Sequence, residues 1–302
     1  MMCNRAAPTV EGWDQHTLER RRTHWQRSGF SLEADTRVAE DDAGRIVGYA
    51  ALNTPAPPSS RVRGDLYVDP AHEFSSLART LLDWIHERAR ELALATPAGA
   101  RMIVTHHVLA QDTQRRDLCL SAGYALAHHS LRMRTDLDEV PPSHVPQGIT
   151  FRTVSPKRDL PVVSRIVQEA FRHHHGFVRR SLADDVARYE QWLADDPRLD
   201  PDVWHLACAE KDAVGVCLGT TRYSGDKKQA YVYTLGVRDA WRGQGIGQAL
   251  LLHAFAVFRV RGNQHVDLDV DTANLTGALR LYKTVGMRTR WQIDEYEKRL
   301  YS

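Results

Sequence analysis

The segment Val237-Arg238-Asp239-Ala240-Trp241-Arg242-Gly243-Gln244-Gly245-Ile246-Gly247-Gln248 has the composition of a phosphate cradle. A strand-like apolar run ends at Val237, and a run of helical period starts at Gly245. The first N–H groups of such a helix lack intrahelical partners and carry partial positive charge, so they can hold phosphate oxygens. Gly243, Gly245 and Gly247 keep side chains out of the way. Arg242 adds a permanent cation able to hydrogen-bond a phosphate. The Gly-Lys-Ser/Thr ending of a nucleoside triphosphate loop is absent, and Arg242 stands where a dinucleotide fingerprint has its first glycine. A tight strand-to-helix turn without a ligand is the structural alternative.

Four other groups could do chemistry. Tyr282 could act as a general acid, with an ordinary phenol pKa of about 10. It also shares a helical face with Ala278, Leu281 and Val285, so a core position is its alternative. Asn274 reads as a ligand contact or as an N-cap. Phe171-Arg172-His173-His174-His175-Gly176 sets three imidazoles side by side, a spacing unlike a zinc site, and no metal is expected. These histidines are either a solvated turn or contacts to a substrate. Asp267, Asp269 and Asp271 alternate along one strand face and read as solvated or ion-paired.

The elements that must position these residues alternate strand and helix. Ile149–Val154, Trp204–Ala209, Val214–Tyr223, Ala230–Val237, His265–Asp271 and one or two strands in Arg288–Leu300 read as β. Leu160–Phe171, Ser181–Leu193 (capped by Ser181), Gly245–Val260 and Asn274–Val285 read as helices. This order gives an α/β fold with a mixed sheet. The pattern occurs twice: Gly48 parallels Gly215, Val68 parallels Val237 and Gly123 parallels Gly286, at offsets of 167, 169 and 163 residues. Equal order at near-equal offset indicates a tandem duplication. The proline-rich stretch from Leu137 to Gly148 suggests a linker. The expected division is 1–136, 137–148 and 149–302. The first copy starts late, as if a strand and a helix were missing, and its first clear element is a helix around Trp13–Arg27.

The 302 residues suffice for two domains. A net charge of +2 disfavours nucleic acid as a partner, and Glu19–Arg27 reads as a solvated basic helix face. No apolar run is long enough to span a membrane, and Met1–Arg5 lacks a signal-peptide core. Cys3, Cys119, Cys208 and Cys217 form no CxxC pair and fit reduced thiols. A cytoplasmic monomer or homodimer is the expectation.

The loop resembles the signature of the GNAT acyltransferase superfamily, Arg/Gln-x-x-Gly-x-Gly/Ala after the fourth strand, matched by Arg242, Gly245 and Gly247. Asn274 through Tyr282, followed by Gly286, is similar to that family's second hallmark. The tandem layout with its histidine turn looks most like mycothiol synthase and its actinobacterial relatives. The resemblance implies two GNAT-like domains, each with a mostly antiparallel twisted sheet flanked by helices. It implies acetyl-CoA, or another acyl-CoA, as donor and a small-molecule primary amine as acceptor. Leu235, Gly236 and Val237 would pair with pantetheine and the acyl carbonyl, and the segment from Arg242 to Gln248 would hold the pyrophosphate. Asn274 would orient the pantetheine arm, and Tyr282 would protonate the leaving thiolate. The amine would attack directly, within walls that include His173, His174 or His175. Mycothiol synthases carry a carboxylate near the start of the fourth strand, whereas no acid lies between Ala230 and Val237 here. Tyr231 then becomes the candidate base, with Tyr233, a histidine or no residue as alternatives. A longer-chain or carrier-bound acyl donor, and a CoA-binding pseudoenzyme, are the rival functions.

The first copy has lost this equipment. Glu73 stands in Arg242's place, Ser76 in Gly245's, Ala78 in Gly247's and Cys119 in Tyr282's. A carboxylate repels a pyrophosphate, so this copy is expected to be non-catalytic.

Overall fold

The computed structural model describes residues 18–27, 29–54, 61–94, 102–223, 226–272 and 277–300. The elements are, in chain order, α1 (Leu18–Trp25), α2 (Leu32–Asp35), β1 (Thr36–Glu40), β2 (Ile46–Asn53), β3 (Arg61–Val68), α3 (Phe74–Leu94), β4 (Met102–Leu109), α4 (Thr113–Ser121) and β5 (Ala125–Asp136). There follow β6 (Ile149–Thr153), α5 (Pro156–Ala170), α6 (Leu182–Asp195), β7 (His205–Ala209), β8 (Asp212–Thr220), β9 (Gln229–Val237), α7 (Ile246–Val260), β10 (His265–Asp271), α8 (Ala278–Thr284) and β11 (Arg288–Leu300). The expected cap is present: Ser181 accepts from the N–H of Asp184 at the start of α6. Helix α5 starts earlier than the expected Leu160, with Pro156 in its first turn, where a missing N–H costs nothing.

The chain forms two compact units, 1–129 with 292–302 and 130–291. In the first, β1, β2 and β3 are antiparallel neighbours, β3 runs parallel to β4, and β4 pairs with Ile293–Leu300 of β11. In the second, β6 to β9 are antiparallel in sequence, β9 runs parallel to β10, and β10 pairs with Ser130–Asp136 of β5. Each sheet is thus mixed and mostly antiparallel, as expected, and the duplicated anchors occupy equivalent places. Gly48 and Gly215 lie in β2 and β8, Val68 and Val237 end β3 and β9, and Gly123 and Gly286 follow α4 and α8 with φ of 81° and 89°.

The boundaries differ from the expected ones. Each copy's last strand completes the other copy's sheet, so 130–136 belongs with the second unit and 292–302 with the first. Residues 137–148 lie inside the second unit instead of between the two. The Leu137 N–H donates to the Gln264 carbonyl at 2.7 Å, and the Leu137 side chain is buried. Local composition cannot reveal this, because two duplicated edge strands carry equivalent patterns and either can satisfy the same ladder. Among the described residues, no strand precedes β1 in the first unit, although two short helices do.

The second unit's core lies between its sheet and α5, α6 and α7. Trp204, Phe255 and Phe258 are fully buried, and the Trp204 indole donates to the Gly219 carbonyl at 2.9 Å. Burying each large apolar side chain contributes about 1.5–3 kcal/mol. That density fixes α7 rigidly on β8 and β9, with its N-terminus at the carboxyl end of β9.

Candidate active site

The parallel ladder between β9 and β10 stops early. It joins Gln229–Val232 to His265–Leu268, and beyond that point the strands have no common register. A bulge contributes to the divergence: Leu218 faces Thr234 and Gly219 faces Val232, so Tyr233 is the extra residue. Backbone past Tyr233 therefore lacks a partner strand on its β10 side. The gap opens into a cleft of about 750 Å³, lined by Leu235, Gly236 and Val237 from β9, Asp269 to Asp271 from β10, and Tyr282 from α8. That volume suits a small-molecule ligand.

The glycine loop forms one wall. Gly243 and Gly245 hold left-handed backbone, φ 77° and 79°, and Gly245 is the N-cap of α7. The N–H groups of Gly243, Gln244, Gly245, Ile246, Gly247 and Gln248 make no backbone hydrogen bond among the described residues. Every residue of this group except Gln244 lines the cleft. Gln244 is exposed and donates to the Ala240 carbonyl at 3.4 Å. At Gly247 a Cβ would stand 3.3 Å from Leu281, which is how closely α7 and α8 approach. The N–H groups and space suit a pyrophosphate, and so fit CoA.

Arg242 differs in detail from the expectation. Its guanidinium donates to the carbonyls of Val237 at 3.1 Å and Ala170 at 2.9 Å, and pairs with Asp239 at 3.0 Å. It ties the loop to β9 and the end of α5, so that its backbone groups, more than its own charge, meet an anion. Asp239 also pairs with Arg172.

Tyr282 is buried to 8% exposure and lines the cleft. Burial raises its pKa above the ordinary value, with the Cys217 thiol adding to the effect. It is a phenol at neutral pH, and its hydroxyl makes no hydrogen bond to another described residue. Tyr231 is arranged differently. Its hydroxyl donates to Asp269 Oδ2 at 2.9 Å, its ring stacks on Tyr223 at 3.9 Å, and it does not line the cleft. Burial and the Asp269 carboxylate push its pKa well up. Tyr231 is thus placed as a hydrogen-bond donor, not as a proton acceptor.

A carboxylate stands on β10, across the gap from β9. Asp269 reaches the cleft while Arg132, its partner in the ladder, grips it with Nε at 2.5 Å and Nη2 at 2.9 Å. The neighbouring pair Arg134–Asp267 is alike in chemistry, but Asp267 is fully buried and also accepts from Gln229 at 2.8 Å. The expectation of ion pairing holds for both aspartates, but only Asp269 also faces the ligand space. Alternation along β10 puts both on one face; which of them reaches the cleft depends on where the strands part.

Of the three histidines, only His174 lines the cleft, packed on Phe171 at 4.6 Å. His173 accepts from Arg172 at 2.9 Å, and His175 is exposed. Asn274 lies outside the described residues.

The family model for the acetyltransferase (GNAT) family matches residues 2–116 and 163–287. The chain belongs to the GNAT acetyltransferase family. It is 33% identical to a mycothiol acetyltransferase of Thermomonospora curvata, over 83% of this chain and 78% of that one. It is 31% identical to the mycothiol acetyltransferase of Thermobispora bispora, over 85% and 81%. Among solved structures it resembles a GCN5-related N-acetyltransferase from Sphaerobacter thermophilus, with TM-score 0.77, 29% identity and 94% and 85% coverage. A tandem GNAT protein from the clavulanic acid biosynthesis pathway shares the fold, with TM-score 0.67 at 18% identity, over 88% and 83%. This is therefore a GNAT-type N-acetyltransferase built on tandem GNAT domains.

The first unit keeps the GNAT layout without the opening. Its parallel ladder also stops early, at Arg63–Thr105, but the gap beyond holds only about 30 Å³. The His106 ring fills it: a Cβ on Gly64 would meet His106 Cε1 at 2.5 Å. Arg115 lies over the Tyr67 ring at 4.8 Å. At the helix start Glu73 accepts from the Ser76 hydroxyl at 2.5 Å, and that hydrogen bond holds its pKa below the ordinary value. A built-in carboxylate thus sits at the start of α3, the helix that follows β3 as α7 follows β9. Cys119 is buried, which pushes its thiol up to about 12.

Proposed function

We propose that the second unit transfers the acetyl group of acetyl-CoA to a primary amine of a small molecule, by direct attack with both substrates bound. The carrying observation is the opened β9–β10 gap, with unpaired loop N–H groups and a protonated, unengaged Tyr282 on the same cleft. The pyrophosphate lies on the N–H groups of Gly243 to Gln248. Backbone groups of Leu235 to Val237 hold the pantetheine and polarise the thioester carbonyl. Asp269, fixed by Arg132 and Tyr231, orients the acceptor ammonium and passes one of its protons to water. The neutral nitrogen forms the C–N bond, the C–S bond breaks, and the sulfur takes the Tyr282 proton. The phenol regains a proton from the attacking nitrogen, leaving amide and free CoA. His174 and Phe171 wall the acceptor side. The first unit serves as scaffold.

The relatives named mycothiol acetyltransferases direct the first acceptor trials to mycothiol-related amines. The test is release of free CoA from acetyl-CoA with a panel of primary amines, with product mass measured. An acetylated amine supports the reading. Tight acetyl-CoA binding with no amine acetylated refutes the acceptor class.

A further inference from the structure

The cations on the cleft's loop side are each engaged by a carboxylate. Arg172 and Arg242 pair with Asp239, and Arg238 pairs with Glu169. Helix α8 is different. Arg280 and Lys283 are exposed, and neither side chain makes an ion pair or hydrogen bond among the described residues. At three residues' separation they are neighbours on the helix surface. Arg280 lines the cleft and, with Lys283, Thr272 and Leu279, also lines an adjoining hollow of about 650 Å³. The opposite face of α8, with Ala278, Leu281 and Tyr282, turns to the pantetheine space.

We propose that Arg280 and Lys283 bind the ribose 3′-phosphate of the donor, and so select free CoA thioesters over donors that lack this group. This rests on the CoA reading above. The argument is one of chemistry and place. Two unneutralised cations beside a cleft for a polyanion lower the energy of any phosphate that reaches them. The pyrophosphate is not that phosphate, because the reading above already assigns it to the N–H groups at the α7 N-terminus. CoA has one further phosphate, on the ribose, joined beyond the pyrophosphate from the pantetheine arm. A carrier-protein arm ends in a single phosphodiester and has nothing to place in the hollow. Asp271 also lines the cleft, so the anion must meet the outer side of α8, away from that carboxylate.

The experiment is isothermal titration of the full chain with CoA and with 3′-dephospho-CoA, at low and moderate salt. Wild type is expected to bind CoA about tenfold more tightly, with the preference shrinking as salt rises. Arg280→Gln/Lys283→Gln is expected to bind both ligands alike, at the affinity of wild type for 3′-dephospho-CoA. Both residues are exposed, so the fold should survive, and melting temperature verifies this. Equal binding of the two ligands by wild type overturns the proposal, as does a preference that survives the double substitution. Failure of wild type to bind either ligand would instead overturn the CoA reading itself.

Discussion

Tyr282 and Asp269 are given different proton roles in the proposed reaction because their surroundings differ. Burial keeps the Tyr282 phenol protonated, so it can hydrogen-bond a thiolate only as negative charge develops on sulfur. Tyr282→Phe keeps the packing against Ala278 and Leu281. We expect the turnover number to fall roughly 10²–10⁴-fold, with CoA affinity and melting temperature near wild type. Steady-state CoA release against a working amine measures this, and full activity would return the residue to the core. Asp269→Asn should lower kcat/KM for the amine on the same order while sparing CoA affinity. Arg132 is buried and would lose its counter-charge, which costs about 3–5 kcal/mol in comparable pairs. Arg132→Met/Asp269→Asn restores neutrality and separates loss of chemistry from loss of fold. Unchanged amine kinetics in the folded double variant would remove Asp269 from the mechanism.

At the scale of elements, the start of α7 depends on left-handed backbone that a side chain resists. Gly245→Ala forces φ near 79° on an L-residue, at a cost of about 1–2 kcal/mol. The loop should shift and CoA affinity fall about tenfold. Gly44→Ala imposes similar strain at φ 72° in a turn of the first unit and should leave CoA affinity alone. Equal effects from both would show that general destabilisation, not loop geometry, was being read. The packed strands and helices also bury histidines. Burial lowers His86 on α3 and His205 on β7 to about 4, and His106 on β4 to about 3. The unfolded chain takes up these protons near pH 6.5 and the folded chain does not. Their stabilisation is complete above that pH and is lost as pH falls toward 4, on the order of 3 kcal/mol for a ring shifted to about 4. Melting temperature should therefore drop about 5–15 °C between pH 7 and pH 4.5. A flat profile would mean that these rings accept protons in the native state.

For the whole molecule, duplication supplied two gaps and one of them closed. The second unit keeps about 750 Å³ and free N–H groups; the first keeps about 30 Å³, a ring in the gap and a carboxylate at its helix start. Calorimetric titration with CoA should give a stoichiometry near one per chain. A value near two would show that His106 and Glu73 swing aside for a ligand.

The sequence by itself determined the duplication, the order of elements and the glycine loop between β9 and α7. Each is written in local spacing: glycines where φ must be positive, a Ser181 cap, apolar residues at strand or helix period. Gly245 at the N-cap and His265–Asp271 as a strand needed nothing beyond neighbouring residues. Tertiary structure alone decided three other matters. It decided which sheet each last strand completes, since two equivalent edges compete for the same pattern. It turned Arg242 inward, because the carbonyls of Val237 and Ala170 come within reach only once α5 packs on β9. And it opened one β10 aspartate to the cleft: Asp267 and Asp269 share a face and a partner type, and only the point where the strands part leaves one sealed in the core and the other open to the cleft.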